Sequence, residues 1–169
     1  MKLSELMQGK TPRNAYKGFA TNDDFVLAID TGDGETQTPE SDFAVVEAGI
    51  TKNEASANTE TKKSQYIRTG KMTTKTGAQR QFTIEGDRYL GDDFQDFCTS
   101  LDIVFGVGAE VVRPYLYFNL LTGEGEQGTV TIIMSDTQAG DAGENASFKA
   151  ELTSTQTPQK YVYSPISGS

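Results

Sequence analysis

Histidine and tryptophan are absent from this chain of 169 residues, and it has one cysteine, Cys98. Without histidine there is no Ser-His-Asp or Cys-His relay and no general base whose unperturbed pKa lies near neutrality. A single thiol cannot close a disulfide within the chain, and it cannot supply the four nitrogen or sulfur ligands of a structural zinc site. Any catalysis would have to rest on carboxylates, lysines or hydroxyls.

Long apolar runs are also missing. No segment approaches the ~18 consecutive apolar residues of a membrane helix, and the N-terminal residues form no apolar run of the secretory type. Apolar residues make up 36% of the chain, which is low for a compact monomer, and there are 17 glycines. The length fits one domain of about 100–200 residues. We expect one domain without a membrane segment, part of whose apolar surface is buried only against a partner.

Charge is unevenly distributed along the sequence. The formal net charge is −9, and from residue 91 onward there are 11 acids against 3 bases. Residues 52–88, in contrast, carry 8 bases and 4 acids. This basic island is either a solvated surface or a region that contacts an acidic face of another copy, because complementary charge fixes register between partners.

Most of the sequence alternates with the period of a half-buried strand. One segment does not, because between Gly91 and Gly106 the apolar residues follow the spacing of a helix. Asp92 is placed to cap that helix, with Gln95 completing a capping box, and Gly106 to end it. The sequence therefore predicts a mainly β fold of two packed antiparallel sheets, a β-sandwich or open barrel, with one α-helix over about 92–105. Cys98 is interpreted as a small core residue in the helical stripe, which consists of Phe94, Phe97, Cys98, Leu101 and Phe105.

Three polar segments fall outside this pattern. Residues 1–20 lack sustained periodicity and are predicted to be an N-terminal arm, followed by a β domain over 21–157. Residues 51–63 contain no large apolar side chain, and a polar connection of this length usually has a function. Residues 158–169 are predicted to be a C-terminal tail.

Two motif matches fail on their context. Residues 123–128 fit G-x-G-x-x-G, but a strand follows where a dinucleotide site needs a helix N-terminus. Residues 30–35 resemble a calcium loop, yet Ile29 and Thr31 occupy the positions of the first two acidic ligands. The sequence therefore predicts no cofactor and no metal.

Carboxylate pairs have structural explanations. Asp92 and Asp93 suit the start of a helix, where the macrodipole favours negative charge. A glycosidase needs two carboxyl groups ~5–10 Å apart in a cleft, and the aromatic residues alternate into the predicted core instead. We expect no enzymatic activity, and a carboxylate-dependent hydrolase remains an alternative.

The order of elements resembles the major tail tube protein of long, non-contractile-tailed phages. The likeness covers roughly residues 41–157. It consists of a strand that ends in Gly49-Ile50, the polar segment 51–63, residues 64–77, residues 79–89 and the helix that begins Gly91-Asp92-Asp93-Phe94-Gln95-Asp96-Phe97.

The resemblance implies a structural virion protein rather than an enzyme. In that family each subunit has two packed sheets flanked by a helix, six subunits close into a ring through their inner sheets, and rings stack into the conduit for genome ejection. The implied partners are other copies of the chain, the tape measure protein, the tail terminator and the baseplate distal tail protein. Double-stranded DNA would pass through without specific binding, and assembly would occur in the cytoplasm of the bacterial host.

The resemblance also assigns roles to surface residues. The loop over 51–63 becomes the candidate contact between rings, and the arm over residues 1–20 is a second one. A negatively charged lumen would let DNA slide, and Glu47, Glu85 and Glu151 are the lumen-facing candidates. Another virion or surface β-module, such as a baseplate, fibre or glycan-binding domain, is the alternative function. The residues available for the contact between rings are Lys52, Asn53, Glu54, Asn58, Glu60, Lys62 and Lys63.

Overall fold

The computed structural model describes residues 1–165 as strands, short helices and 3-10 turns. The helices are α1 (Leu3–Met7), α2 (Asp93–Cys98) and α3 (Leu101–Val104). The strands are β1 (Phe25–Ile29), β2 (Ala44–Val45), β3 (Ile50–Ser56), β4 (Glu60–Tyr66), β5 (Gly70–Gly77), β6 (Gln81–Asp87), β7 (Val112–Asn119), β8 (Glu124–Asp136), β9 (Ser147–Ser154) and β10 (Gln159–Val162).

Eight strands form one antiparallel sheet in the order β2-β1-β7-β8-β9-β6-β3, with β10 added alongside β8. The long strand β8 belongs to both halves, because it pairs with β7 and β10 near its start and with β9 near its end. Strands β4 and β5 form a separate two-stranded sheet. The mainly β fold with a second sheet, predicted from the alternation, is confirmed.

The main sheet curls until its two halves share one core. Leu27 and Ile29 of β1 pack in the same buried cluster as Phe82 and Ile84 of β6. Tyr115 joins them, with its ring centroid 5.3 Å from that of Phe82 in an edge-on arrangement. Each large apolar side chain buried here contributes roughly 1.5–3 kcal/mol. The helices close this core with Phe94, Cys98 and Ile103.

A second apolar cluster covers the outer side of the β1–β7 half. Leu3 and Met7 of α1 are buried against β1 and β7, together with Tyr161 of β10. The Leu3 amide donates to the carbonyl of Phe43 at 2.8 Å. Residues 1–7 of the predicted N-terminal arm over 1–20 therefore contribute to the core, and the sequence does not indicate this because one helical turn is too short to show periodicity.

The predicted C-terminal tail over 158–169 also needs correction, since it contains β10. That strand pairs with β8 from Gln159 to Val162. Residues 166–169 of the predicted tail lie outside the described residues.

The predicted helix over 92–105 is two short helices. Asp92 caps α2 as expected, because its carboxylate accepts from the Gln95 amide at 3.0 Å. Ser100 then adopts an extended conformation, with φ −61° and ψ 148°, which ends α2 and redirects α3. As a consequence, only part of the predicted apolar stripe faces the core. Phe94 and Cys98 are buried, whereas Leu101 and Phe105 are exposed.

Gly49 interrupts the strand expected to end in Gly49-Ile50. Its φ is +72°, and an added Cβ would lie 2.5 Å from the Asp87 carbonyl oxygen, so the chain turns there between β2 and β3. The unstructured loop predicted over 51–63 is also wrong. It contains most of β3, a three-residue connection and the start of β4.

Candidate assembly surfaces

Four strands present one solvent-facing side, which we call the open face. It is the outer side of β3, β6, β9 and the second half of β8. Glu85 lies opposite Lys52 on β3 and Lys149 on β9, and Glu151 lies opposite Thr83. Directly opposed residues of an antiparallel pair project on the same side. The alternate residues of β6 and β9 are buried in the core, so the open face and the core are the two sides of one sheet layer.

The open face carries an excess of negative charge. Lys149 Nζ lies 3.4 Å from Glu85 Oε1, and Lys52 Nζ lies 3.2 Å from Glu54 Oε2. The hydrogen bond to Glu54, with the nearby Glu85 carboxylate, raises the pKa of Lys52, so this lysine is charged at neutral pH. The ionisable side chains of the face are the two lysines Lys52 and Lys149 and the five carboxylates Glu54, Glu85, Asp87, Asp136 and Glu151.

Two of the three residues predicted from the sequence to line a lumen are therefore neighbours. Glu85 and Glu151 lie on adjacent strands of the open face, while Glu47 lies in the turn between β2 and β3. The Glu47 carbonyl accepts from the Ile50 amide at 3.1 Å in that turn. Because Glu47 is not part of a strand, its side chain does not belong to the open face.

The open face ends in two strand edges. Within residues 1–165, β3 pairs with β6 alone, so its other edge is unpaired. At the opposite end β7 accompanies β8 only as far as Thr131, which leaves the edge of β8 from residue 132 to 136 without a strand partner in the part of the chain described. Four antiparallel strands are an even number, so these two edges run in opposite directions. Such edges are templates for pairing with another chain.

Strands β4 and β5 form a β-hairpin that we call the hairpin arm, residues 60–77. The turn at its tip contains Arg68 with φ +70°, and Ile67 is 92% exposed there. Neither strand of the arm pairs with the main sheet. A lone two-stranded hairpin is marginally stable in water, so the arm gains from contact with another surface.

The two sides of the hairpin arm differ. Ser64 lies opposite Met72 and Tyr66 opposite Gly70, so the apolar side carries the exposed Tyr66 and Met72. On the other side Gln65 lies opposite Lys71, and this lysine side carries three lysines, Lys63, Lys71 and Lys75.

The base of the arm is firmly attached to the main sheet. The Gln79 amide donates to the Ala57 carbonyl at 2.7 Å, which holds together the two segments that enter and leave the arm. Gln79 Nε2 donates to the Ser154 carbonyl at 3.0 Å. Arg80 donates to Glu126 at 2.6 and 2.7 Å, and this pairing raises the pKa of Arg80. The arm therefore projects from a fixed base.

The seven predicted contact residues divide between these surfaces. Lys52 and Glu54 lie on the open face, and Asn53, opposite Ile84, projects to its inner side. Asn58 lies in the connection to the arm. The remaining residues, Glu60, Lys62 and Lys63, lie in β4.

Sequence reasoning missed the second strand of the arm. The sequence assigns no role to Arg68, Lys71, Met72 and Lys75, because no apolar alternation marks β5 or the turn before it. The available signal was β-propensity, since three threonines occupy the strand and threonine favours strands.

The main cleft is polar, and two of its carboxylates, those of Asp30 and Glu40, are engaged in hydrogen bonds. It has a volume of about 480 Å³ and is lined by residues that include Asp30, Glu40 and Gln127. Asp30 accepts from the Gly32 amide at 2.8 Å, and Glu40 accepts from the Tyr161 hydroxyl at 3.2 Å. Cys98 is buried, and burial raises the pKa of its thiol. Among residues 1–165 no group of three or more acidic, histidine or cysteine side chains is arranged to hold a metal. No helix in the described range has the length and apolarity needed to cross a membrane.

This architecture is found in solved structures of gene transfer agent particles. A chain in the tail of an empty gene transfer agent particle, determined with helical refinement and C6 symmetry, matches with a TM-score of 0.61 at 16% identity. The match covers 86% of this chain and 100% of that one. The fold is that of a protein in a tail particle. A chain in the virion of a native gene transfer agent particle matches with a TM-score of 0.57 at 14% identity, over 85% of this chain and 100% of its own.

No protein-family model and no curated protein matches the sequence. The likeness to a tail protein, which the sequence indicated through the order of its elements, is confirmed at the level of the fold.

Proposed function

We propose that the chain is a structural subunit of a phage-like tail tube, with six copies in each ring and rings stacked along the tube. The observation that carries this proposal is the open face, a four-stranded layer whose two edges run in opposite directions and have no strand partner within residues 1–165. The fold shared with a chain from a tail of C6 symmetry supports it.

Ring closure follows from the two edges. When the β3 edge of one copy meets the β8 edge of the next, the antiparallel alternation continues across the junction, because each copy contributes an even number of strands. Head-to-tail contacts that close by rotation generate a ring. Closure also removes the open edges, which are otherwise an aggregation hazard.

The open face lines the lumen in this proposal. Its five carboxylates outnumber its two lysines. A lumen rich in lysine and arginine would release counterions from DNA and hold it tightly, whereas an excess of carboxylates lets the duplex slide. Glu85 and Glu151 are the lumen residues, whereas Glu47 lies outside the open face, in the turn between β2 and β3.

The hairpin arm makes the contact between rings. It projects from the sheet, it is basic, and it exposes apolar side chains that a single copy leaves uncovered. The tube would surround a tape measure protein and would end on a tail terminator and a distal tail protein, and its place is the virion.

Electron microscopy of the purified chain over a range of concentrations tests the assembly. We expect rings with sixfold symmetry that stack into tubes as the concentration rises. Compact trimers, or a monomer at every concentration, would contradict the proposal. Trimers that also bind oligosaccharides would favour a fibre or glycan-binding module.

The lumen assignment has its own test in particles that eject DNA. Glu85→Lys with Glu151→Lys should slow or stall genome release, because the substituted face attracts phosphates. The matched control is Glu47→Lys with Glu144→Lys, which changes the charge equally away from the open face. Equal ejection by the two double variants would count against a lumenal open face.

A further inference from the structure

Three large apolar side chains lie exposed beside the helices. Leu101 is 74% exposed, and Phe105 and Val107 are each 76% exposed. Leu101 begins α3, and Phe105 caps its C-terminus four residues later in a helical conformation, so the two lie on one side, whereas Ile103 of the helix is buried. Contiguous exposed apolar patches rimmed by polar residues mark interaction sites on soluble proteins.

Acidic residues flank this cluster. Asp102 and Glu110 are exposed, and within residues 1–165 neither takes part in an ion pair. The other acids of the region are engaged. Asp96 accepts from Arg88 at 2.7 Å, and Asp93 lies 3.6 Å from the N-terminal amine. We call the surface formed by Leu101, Asp102, Phe105, Val107 and Glu110 the helical patch.

The hairpin arm has the complementary composition. Its apolar side and tip expose Tyr66, Ile67 and Met72. Lys62 lies on the same side of the arm, because it is two residues before Ser64 along β4, and Arg68 is next to Ile67 at the tip. The arm thus presents three apolar side chains and two cations, and the helical patch presents three apolar side chains and two anions.

Within residues 1–165 the apolar side chains of the arm remain exposed. Among the described residues, β4 and β5 pack substantially against each other and against no other element. The arm and the helical patch are therefore both available to a second molecule.

We propose that the hairpin arm of one copy docks on the helical patch of a copy in the neighbouring ring. Tyr66, Ile67 and Met72 cover the apolar side chains of the patch, while Lys62 and Arg68 meet Asp102 and Glu110. Apolar burial supplies affinity, and the charges fix orientation. This inference rests on the proposed tube, since it requires another copy within reach of the arm.

Charge reversal tests the docking. Asp102→Lys with Glu110→Lys, and separately Lys62→Glu with Arg68→Glu, should each raise the concentration needed for tube formation by about tenfold. A chain that carries all four substitutions should recover, because the two charge sets are again opposite.

The lysine side of the arm supplies the matched control. Lys63→Glu with Lys71→Glu makes the same charge change on the side that faces away from the patch, and should leave assembly near the unaltered level. Normal assembly by either reversed pair would overturn the docking. An equal loss in the control variant would do the same.

A disulfide test separates this inference from the tube itself. Ile67→Cys with Phe105→Cys should give a ladder of linked copies under oxidising conditions, while Ile67→Cys with Ile133→Cys should not, because Ile133 lies on the open face. The native Cys98 is buried and does not interfere. Tubes without a Phe105-dependent ladder would overturn the docking alone. A ladder without rings would support the docking and overturn the tube.

Discussion

Arg80 and Glu126 form a two-pronged ion pair, with Nε to Oε1 at 2.6 Å and Nη2 to Oε2 at 2.7 Å. The Arg80 guanidinium also lies 5.8 Å from the ring centroids of both Phe82 and Tyr117. The Tyr115 hydroxyl donates to the same carboxylate at 3.1 Å. This group joins the start of β6 to β8 at the base of the hairpin arm, so it fixes the direction in which the arm projects.

Arg80→Ala should lower the free energy of unfolding by about 2–3 kcal/mol, because Glu126 loses a partly buried, charge-assisted partner. The measurement is urea denaturation followed by circular dichroism. Lys149→Ala is the control, since its ion pair with Glu85 is more exposed and should be worth less than about 1 kcal/mol. A loss for Arg80→Ala no larger than that of the control would show that the pair does not hold the base.

Gln95 is a second structural polar residue. Its Nε2 donates to the carbonyls of Ala48 at 2.8 Å and Asp87 at 3.0 Å, and its Oε1 accepts from the Tyr89 amide at 2.9 Å. Gln95→Leu keeps a similar volume but leaves these backbone groups unpaired, so we expect a loss of about 2–5 kcal/mol in calorimetry. Gln65→Leu on the exposed arm should leave the melting temperature nearly unchanged. A Gln95 variant as stable as that control would refute the assigned role.

Gly125 lies where β8 pairs with β7 and β10 at once. A Cβ at this position would collide with the Tyr117 carbonyl oxygen and the Phe118 Cα of β7. Gly125→Ala should cost about 3 kcal/mol or prevent folding. Gly77→Ala is the control because its nearest neighbour, Glu60 Oε2, lies at 3.7 Å. Equal solubility and equal denaturation midpoints for the two variants would contradict the packing described.

Removal of the hairpin arm should separate folding from stacking. Residues 60–77 are replaced by a short Asn-Gly turn, which can close the base because Ala57 and Gln79 are already hydrogen-bonded. We expect a stably folded variant that still forms rings. These rings should not stack into tubes, as seen by electron microscopy and sedimentation. Stacked tubes of normal length from this variant would rule out the arm as the contact between rings.

The alternation in the sequence predicted the parts of the fold whose two sides differ. Strand β9 alternates without fault because one side is buried and the other is the open face. For the same reason Glu85 and Glu151 could be expected on one side of their strands. Their adjacency required the pairing of β6 with β9, which no local pattern specifies.

The features that escaped prediction lack such asymmetry or depend on distant contacts. Both sides of the hairpin arm are exposed in one copy, so its sequence shows no apolar alternation. Leu101 and Phe105 continue the helical spacing of Phe94 and Cys98, but the turn at Ser100 directs them outward. Glu47 lies two residues after Val45, which is the spacing of one side of a strand, but β2 ends at Val45 and the turn at Gly49 removes Glu47 from the sheet.

A cryo-electron microscopy reconstruction of assembled tubes tests the central claim most directly, because it shows which sheet side faces the channel. We expect rings of six copies, each contributing β3, β6, β9 and the end of β8 to a continuous barrel, with Glu85 and Glu151 directed into the lumen. A tube with the open face on its outer surface, or with rings joined by contacts other than the β3 and β8 edges, would contradict this claim.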